Sequence, residues 1–144
     1  MSDAARLASK VFSKKPQGTP YTQFILSAEE ISAIKLTIEG AVVDSAYSAI
    51  VTYAEAMSGL EKGSIAWSIV KLYYSCFYSI RASLLLNEVA LFNCQGEMLL
   101  NIPSQSFMKG GKSSHHWNWQ SIRQIPQLRG RWFTSRDSEE AYTR

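Results

Sequence analysis

The sequence predicts a mostly α fold: a helical bundle built on one long antiparallel helical hairpin, followed by an irregular or short β-hairpin segment and short C-terminal helices. Three observations lead there. Residues 28–57 and 64–89 both carry apolar side chains at helical spacing. Only the turn Ser58-Gly59-Leu60-Glu61-Lys62-Gly63 separates them, and long helices joined so tightly must pack antiparallel. Beyond Val89 the helical period stops, and Gly96, Asn101 and Pro103 interrupt the apolar residues.

Each element has its own signals. Residues 1–20 form a basic segment that ends in the linker-like Pro16-Gln17-Gly18-Thr19-Pro20, leaving 21–144 as one helical domain. Ser27-Ala28-Glu29-Glu30 has the form of a capping box, which opens the first helix. Ile31, Ile34, Ile38, Val42, Ala46, Ile50 and Tyr53 supply its apolar positions, and Gly40 inside it suggests a close helix contact. Ser64 can cap the second helix. On that helix Ile69, Val70, Tyr73, Cys76, Phe77, Ile80, Leu84 and Asn87 fall on one side, while Trp67, Lys71, Tyr74, Tyr78, Arg81 and Leu85 fall on another. Leu91, Phe92, Met98, Leu99, Leu100 and Ile102 make the packed segment that follows. Gly110-Gly111 breaks the chain before a short helix from His115 to Ile125, which Pro126 ends. Asp137-Ser138-Glu139-Glu140 reads as a second capping box. The few residues left cannot hold a helix in water, so either they dock on the body or the chain continues past Arg144.

Charge is segregated. The net charge of +3 conceals a run from Pro103 to Arg136 without a single carboxylate, which contains Lys109, Lys112, Arg123, Arg129, Arg131 and Arg136. The acids gather in the middle of the chain and at its end. Such a pattern suits a polyanionic partner, nucleic acid first, or a basic face that answers an acidic protein surface. Lys71 and Arg81 interrupt the most apolar helix, which excludes a membrane span there, and the N-terminus lacks the apolar stretch of a secretory signal. Cys76 and Cys94 form no CxxC pair, so reduced thiols in a cytoplasmic protein are expected.

The chemical motifs are weak. Gly110-Gly111-Lys112-Ser113 imitates the end of a phosphate-binding P-loop, but Ser106 stands where that loop needs its first glycine. Lys112 and a helix N-terminus after it can still contact phosphate. His115 and His116 are adjacent and point to different sides of a helix, which counts against a shared metal, and no cofactor is expected. Trp117 and Trp119 can stack on bases or fill the core. Arg81 sits in a helix that is apolar nearly all round, and it must find a carboxylate, a carbonyl or a phosphate. The same helix has more apolar circumference than one neighbour covers, which predicts a two-fold dimer around Tyr74, Tyr78 and Arg81.

Tyr73-Tyr74-x-x-Phe77-Tyr78-x-x-Arg81-Ala82-x-Leu84-Leu85 resembles the second helix of HEPN domains, a family of helical nucleotide-binding and ribonuclease modules. The likeness covers about twenty residues, with an echo in Ser113-Ser114-His115-His116; Tyr78 stands where many members have histidine. The resemblance implies an RNA-binding module of a toxin–antitoxin or phage-defence system, with a homodimer or a partner protein from the same operon. HEPN ribonucleases carry an arginine followed four to six residues later by histidine, and no arginine here has one. The chain taken alone is therefore expected to bind without cleaving, and a ribonuclease requires a motif beyond Arg144 or one assembled in trans. Lys109, Lys112, His115, His116, Arg123, Arg129 and Arg131 are the candidate nucleic-acid contacts, with Tyr74, Tyr78 and Arg81 as interface or phosphate-binding residues. The competing reading is a scaffold subunit whose aromatic helix face docks a partner protein.

Overall fold

The computed structural model describes residues 6–7, 10–11, 13–20, 23–93, 97–109 and 121–122. Two long helices lead it, α1 (Ala28–Glu61) and α2 (Ile65–Leu86), packed against each other as an antiparallel hairpin. The mostly α fold predicted from sequence is the fold observed. Ser27 caps α1 as expected: its hydroxyl accepts the Glu30 amide at 3.2 Å, and the Ser27 amide donates to the Glu30 carboxylate at 3.0 Å. The hydrogen bond from the Ser27 amide holds the Glu30 carboxyl below its ordinary pKa against a smaller effect of burial. The Ser27 hydroxyl and Lys14, 3.5 Å away, add to the lowering.

α1 runs four residues beyond the expected end at Met57, through much of the stretch read as a turn. Gly63 stops it, with φ at +77°, where a side chain would be strained, and its amide bonds the Leu60 carbonyl at 3.0 Å. Ser64 contributes its backbone carbonyl to the first turn of α2 but no side-chain cap, unlike the sequence expectation.

Small residues line the seam between the helices. Ala41, Ala49 and Ala56 of α1 are buried, as are Ser68, Ser75 and Ala82 of α2, the latter three spaced by sevens. Little side-chain bulk separates the two backbones. The Ser75 hydroxyl donates directly to the Ala49 carbonyl at 2.8 Å, a buried bond between the helices. Lys71 and Glu55 close one edge of the seam at 3.0 Å. Gly59, not Gly40, is the glycine of close approach: a Cβ at Gly59 would lie 2.5 Å from the Ser68 Oγ, whereas one at Gly40 would meet nothing within 4 Å.

After α2, Glu88 takes a positive φ of 55° and turns the chain into a sheet. The segment read as an irregular region or short hairpin is a three-stranded antiparallel meander: β1 (Val89–Asn93), β2 (Glu97–Asn101) and β3 (Ser106–Lys109), in the order β1-β2-β3. Ala90 faces Leu100 and Leu100 faces Phe107 across the ladders. Ala90, Met98, Leu100 and Phe107 join Ile34, Ile38, Ala41 and Leu85 of the helices, with Val11, Leu26 and Ile102, in one core. Val89, Leu91 and Leu99, on the alternate face, are buried too. That double burial explains why the strands read as apolar runs without a polar alternation. Ser121 and Ile122 are helical and fully buried, within the stretch expected to be helix.

Candidate functional site

The core ends partway along the hairpin. Phe77, Ile80, Leu84 and Leu85, on the second half of α2, are buried, whereas Ile65, Trp67, Ile69, Val70, Tyr73 and Tyr74, on its first half, are exposed. The apolar surplus expected of α2 is thus met within the chain at one end and left bare at the other. Half of the HEPN-like run has a packing role, because Phe77, Ala82, Leu84 and Leu85 are core.

Five side chains of the other wheel face lie along one side of α2. Trp67 is 69% exposed and Tyr74 39% exposed, while Lys71, Tyr78 and Arg81 are half-buried on the same side of α2. The Tyr74 and Tyr78 rings lie 6.3 Å apart, tilted by 32°, so their faces are roughly aligned along the helix. Phe77 stands edge-on to both, at 6.4 and 5.6 Å. The Arg81 guanidinium carbon sits 5.7 Å from the Phe77 ring centroid, so an aromatic face is among its neighbours, a group absent from the sequence expectation. No carboxylate occurs between Ile65 and Asn87, and Lys71 engages Glu55 of α1 at 3.0 Å. Burial, with Tyr74 adjacent, pushes the Tyr73 phenol above its ordinary pKa. The result is an aromatic ladder with cations beside it, able to stack on flat rings and to contact anions.

Lys109 ends β3, its backbone opposite Met98. Lys112, His115, His116, Arg123, Arg129 and Arg131 lie outside the described residues, as do Gly110-Gly111 and the second capping box. The strand leading to the P-loop-like tetrapeptide is antiparallel, whereas a P-loop follows a parallel strand. Among the described residues no group of histidine, cysteine, aspartate or glutamate could hold a metal, and no helix is long and apolar enough to cross a membrane. An open groove of about 650 Å³ runs between α1 and the end of α2, with Leu36, Val42, Leu85 and Leu86 as its apolar wall and the Lys35–Glu88 pair, 2.9 Å apart, at its rim.

Sequence reasoning missed the outer face of α1. Stepping by four through Ile34, Ile38, Val42, Ala46 and Ile50 rotates about 40° per step, so the expected face walks off the core. Ile34 and Ile38 are buried while Ile50 and Tyr53 are exposed. The legible signal was a second spacing, 4-3-4-3-4-3, through Leu36, Gly40, Val43, Tyr47, Ile50, Ala54 and Met57. No protein-family description, curated protein or solved structure matches the chain.

Proposed function

We propose that the protein is a non-catalytic helical module that binds single-stranded RNA, with the Trp67–Tyr74–Tyr78 face of α2 as its stacking platform. The observation that carries this reading is the row of aromatic rings with Lys71 and Arg81 beside it, on a helix without a carboxylate. Unstacked bases of single strands rest on such rings without regard to sequence, while the cations follow the backbone. The acid-free segment 103–136, with Lys109, Lys112, His115, His116, Arg123, Arg129 and Arg131, adds phosphate contacts. A toxin–antitoxin or phage-defence setting is implied by the HEPN resemblance and a cytoplasmic location by the expectation of reduced thiols, and both belong to the proposal. A second reading, a scaffold subunit that docks a partner protein from the same operon, is favoured by the bare Ile65, Ile69 and Val70 beside the rings.

Fluorescence anisotropy with a labelled single-stranded RNA separates the two. Trp67→Ala/Tyr78→Ala should lose roughly 10-fold or more in affinity, since stacking contributes ~1–3 kcal/mol per base. Arg129→Ala/Arg131→Ala should weaken binding about equally across sequences and flatten its salt dependence. An affinity untouched by both pairs of substitutions refutes the RNA reading, and a stable complex with a co-expressed neighbour would then support the scaffold.

A further inference from the structure

We propose that α1 pairs antiparallel with α1 of a second copy through its outer stripe, giving a two-fold dimer whose helices lie in the order α2, α1, α1, α2. The interface is separate from the Tyr74–Tyr78–Arg81 surface, and the inference does not depend on RNA binding. The stripe is bare: Val43, Tyr47 and Ile50 are 66%, 68% and 67% exposed, and Leu36 at its start, 77% exposed, also borders the groove beside the end of α2. It lies about 180° around the helix from Ala41, Ala49 and Ala56, which face α2. Small residues in that seam leave the large apolar side chains to the opposite side. The alternation of fours and threes from Leu36 to Met57 spans three heptads, the repeat that keeps one stripe facing a partner helix in a left-handed coiled coil.

Charge and shape choose the occupant and its direction. Glu39 and Asp44 flank the stripe on opposite sides, five residues apart. In a parallel pair each Glu39 would face the other copy's Asp44, two like-charge contacts along the seam. Antiparallel pairing removes them. With the two-fold axis between Tyr47 and Ile50, Gly40 lies opposite Met57, Val43 opposite Ala54, and Tyr47 opposite Ile50. Both small residues of the stripe then receive a larger one, and open space at Gly40 becomes the hole for a Met57 side chain. Asp44 falls beside Val51, away from its own copy, whereas an axis between Val43 and Tyr47 would bring the two Asp44 carboxylates together.

The test uses the full chain in light scattering and disulfide cross-linking. At tens of micromolar the parent should be a dimer, and Val43→Glu or Ile50→Glu should be a monomer with unchanged far-UV circular dichroism. In a Cys76→Ser/Cys94→Ser background, a Gly40→Cys copy should cross-link to a Met57→Cys copy several-fold faster than to itself. A monomeric parent overturns the proposal, as does a dimer that survives both glutamate substitutions. Preferential Gly40→Cys self-linking overturns it as well, and this arm stands even where a glutamate variant fails to fold.

Discussion

Replacing Gly59 with alanine tests the closeness of the helical seam directly. An alanine Cβ would stand 2.5 Å from the Ser68 Oγ, about 1 Å inside the ~3.5 Å at which non-bonded heavy atoms attract. Ser68 is fully buried, and its hydroxyl donates to the Ser64 carbonyl at 2.9 Å. The new methyl forces that hydroxyl off its acceptor, leaving a buried donor unmet at a cost of about 1–3 kcal/mol. Alanine in place of glycine within a helix returns about 1 kcal/mol. Gly59→Ala should therefore destabilise by about 1 kcal/mol net, where an exposed helical glycine would have gained. Ser68→Ala removes the obstacle, and the next atom, the Ser68 Cβ, is 3.8 Å away in ordinary contact. The double variant Gly59→Ala/Ser68→Ala should then exceed the parent by about 1 kcal/mol, a favourable coupling of roughly 2 kcal/mol. Urea unfolding followed by circular dichroism gives all four corners of the cycle. A stabilising Gly59→Ala that adds simply to Ser68→Ala would refute the close seam.

Other perturbations follow from the same structure. Ser75→Ala should cost ~1 kcal/mol in urea unfolding, because it removes the buried bond to the Ala49 carbonyl. The Glu30 carboxyl is held below its ordinary pKa in the folded state, so its contribution is complete above the unfolded value of about 4.3 and is lost as the pH falls through the folded one. Glu30→Gln should flatten the acid limb of a stability–pH curve measured by thermal melts, and an unchanged limb would refute the assignment. Purified chain incubated with structured and single-stranded RNA, without metal, should leave both intact; cleavage that disappears in His115→Ala/His116→Ala would make the histidine pair a site.

Local signals carried far in the sequence. Ser27 and Glu30 announced the start of α1 because a cap is made by residues three apart, and Trp67, Tyr74, Tyr78 and Arg81 shared a face because helical phase is reliable over a few turns. Phase over ten turns is another matter. Small errors in the assumed period accumulate, which is why Ile50 and Tyr53 were assigned to a face they do not share with Ile34. The two glycines of α1 show the same limit. Gly40 and Gly59 look alike in sequence, and only the path of α2 distinguishes the one against Ser68 from the one facing open space. The third strand, Ser106–Lys109, was hidden because its partner Met98–Asn101 supplies most of the apolar signal. The bare stripe escaped for a different reason: exposure is a property of the whole fold, and a helix that is apolar on two faces gives no hint of which one stays uncovered.

The close approach of Gly59 to Ser68 also limits how this protein can change shape. A seam of alanine, serine and glycine is smooth, and by itself it would let one helix slip past the other by a turn, about 5.4 Å, at little steric cost. One turn of slip would offer Ser75 another carbonyl of α1, but it would carry Ser68 off Gly59 and onto Glu55 or Gly63, and the short link Lys62-Gly63-Ser64 leaves little slack for it. The hairpin therefore has one register, not two. Signals reaching this molecule can act by bringing surfaces together or parting them, but sliding of α1 along α2 is closed to it as a switch.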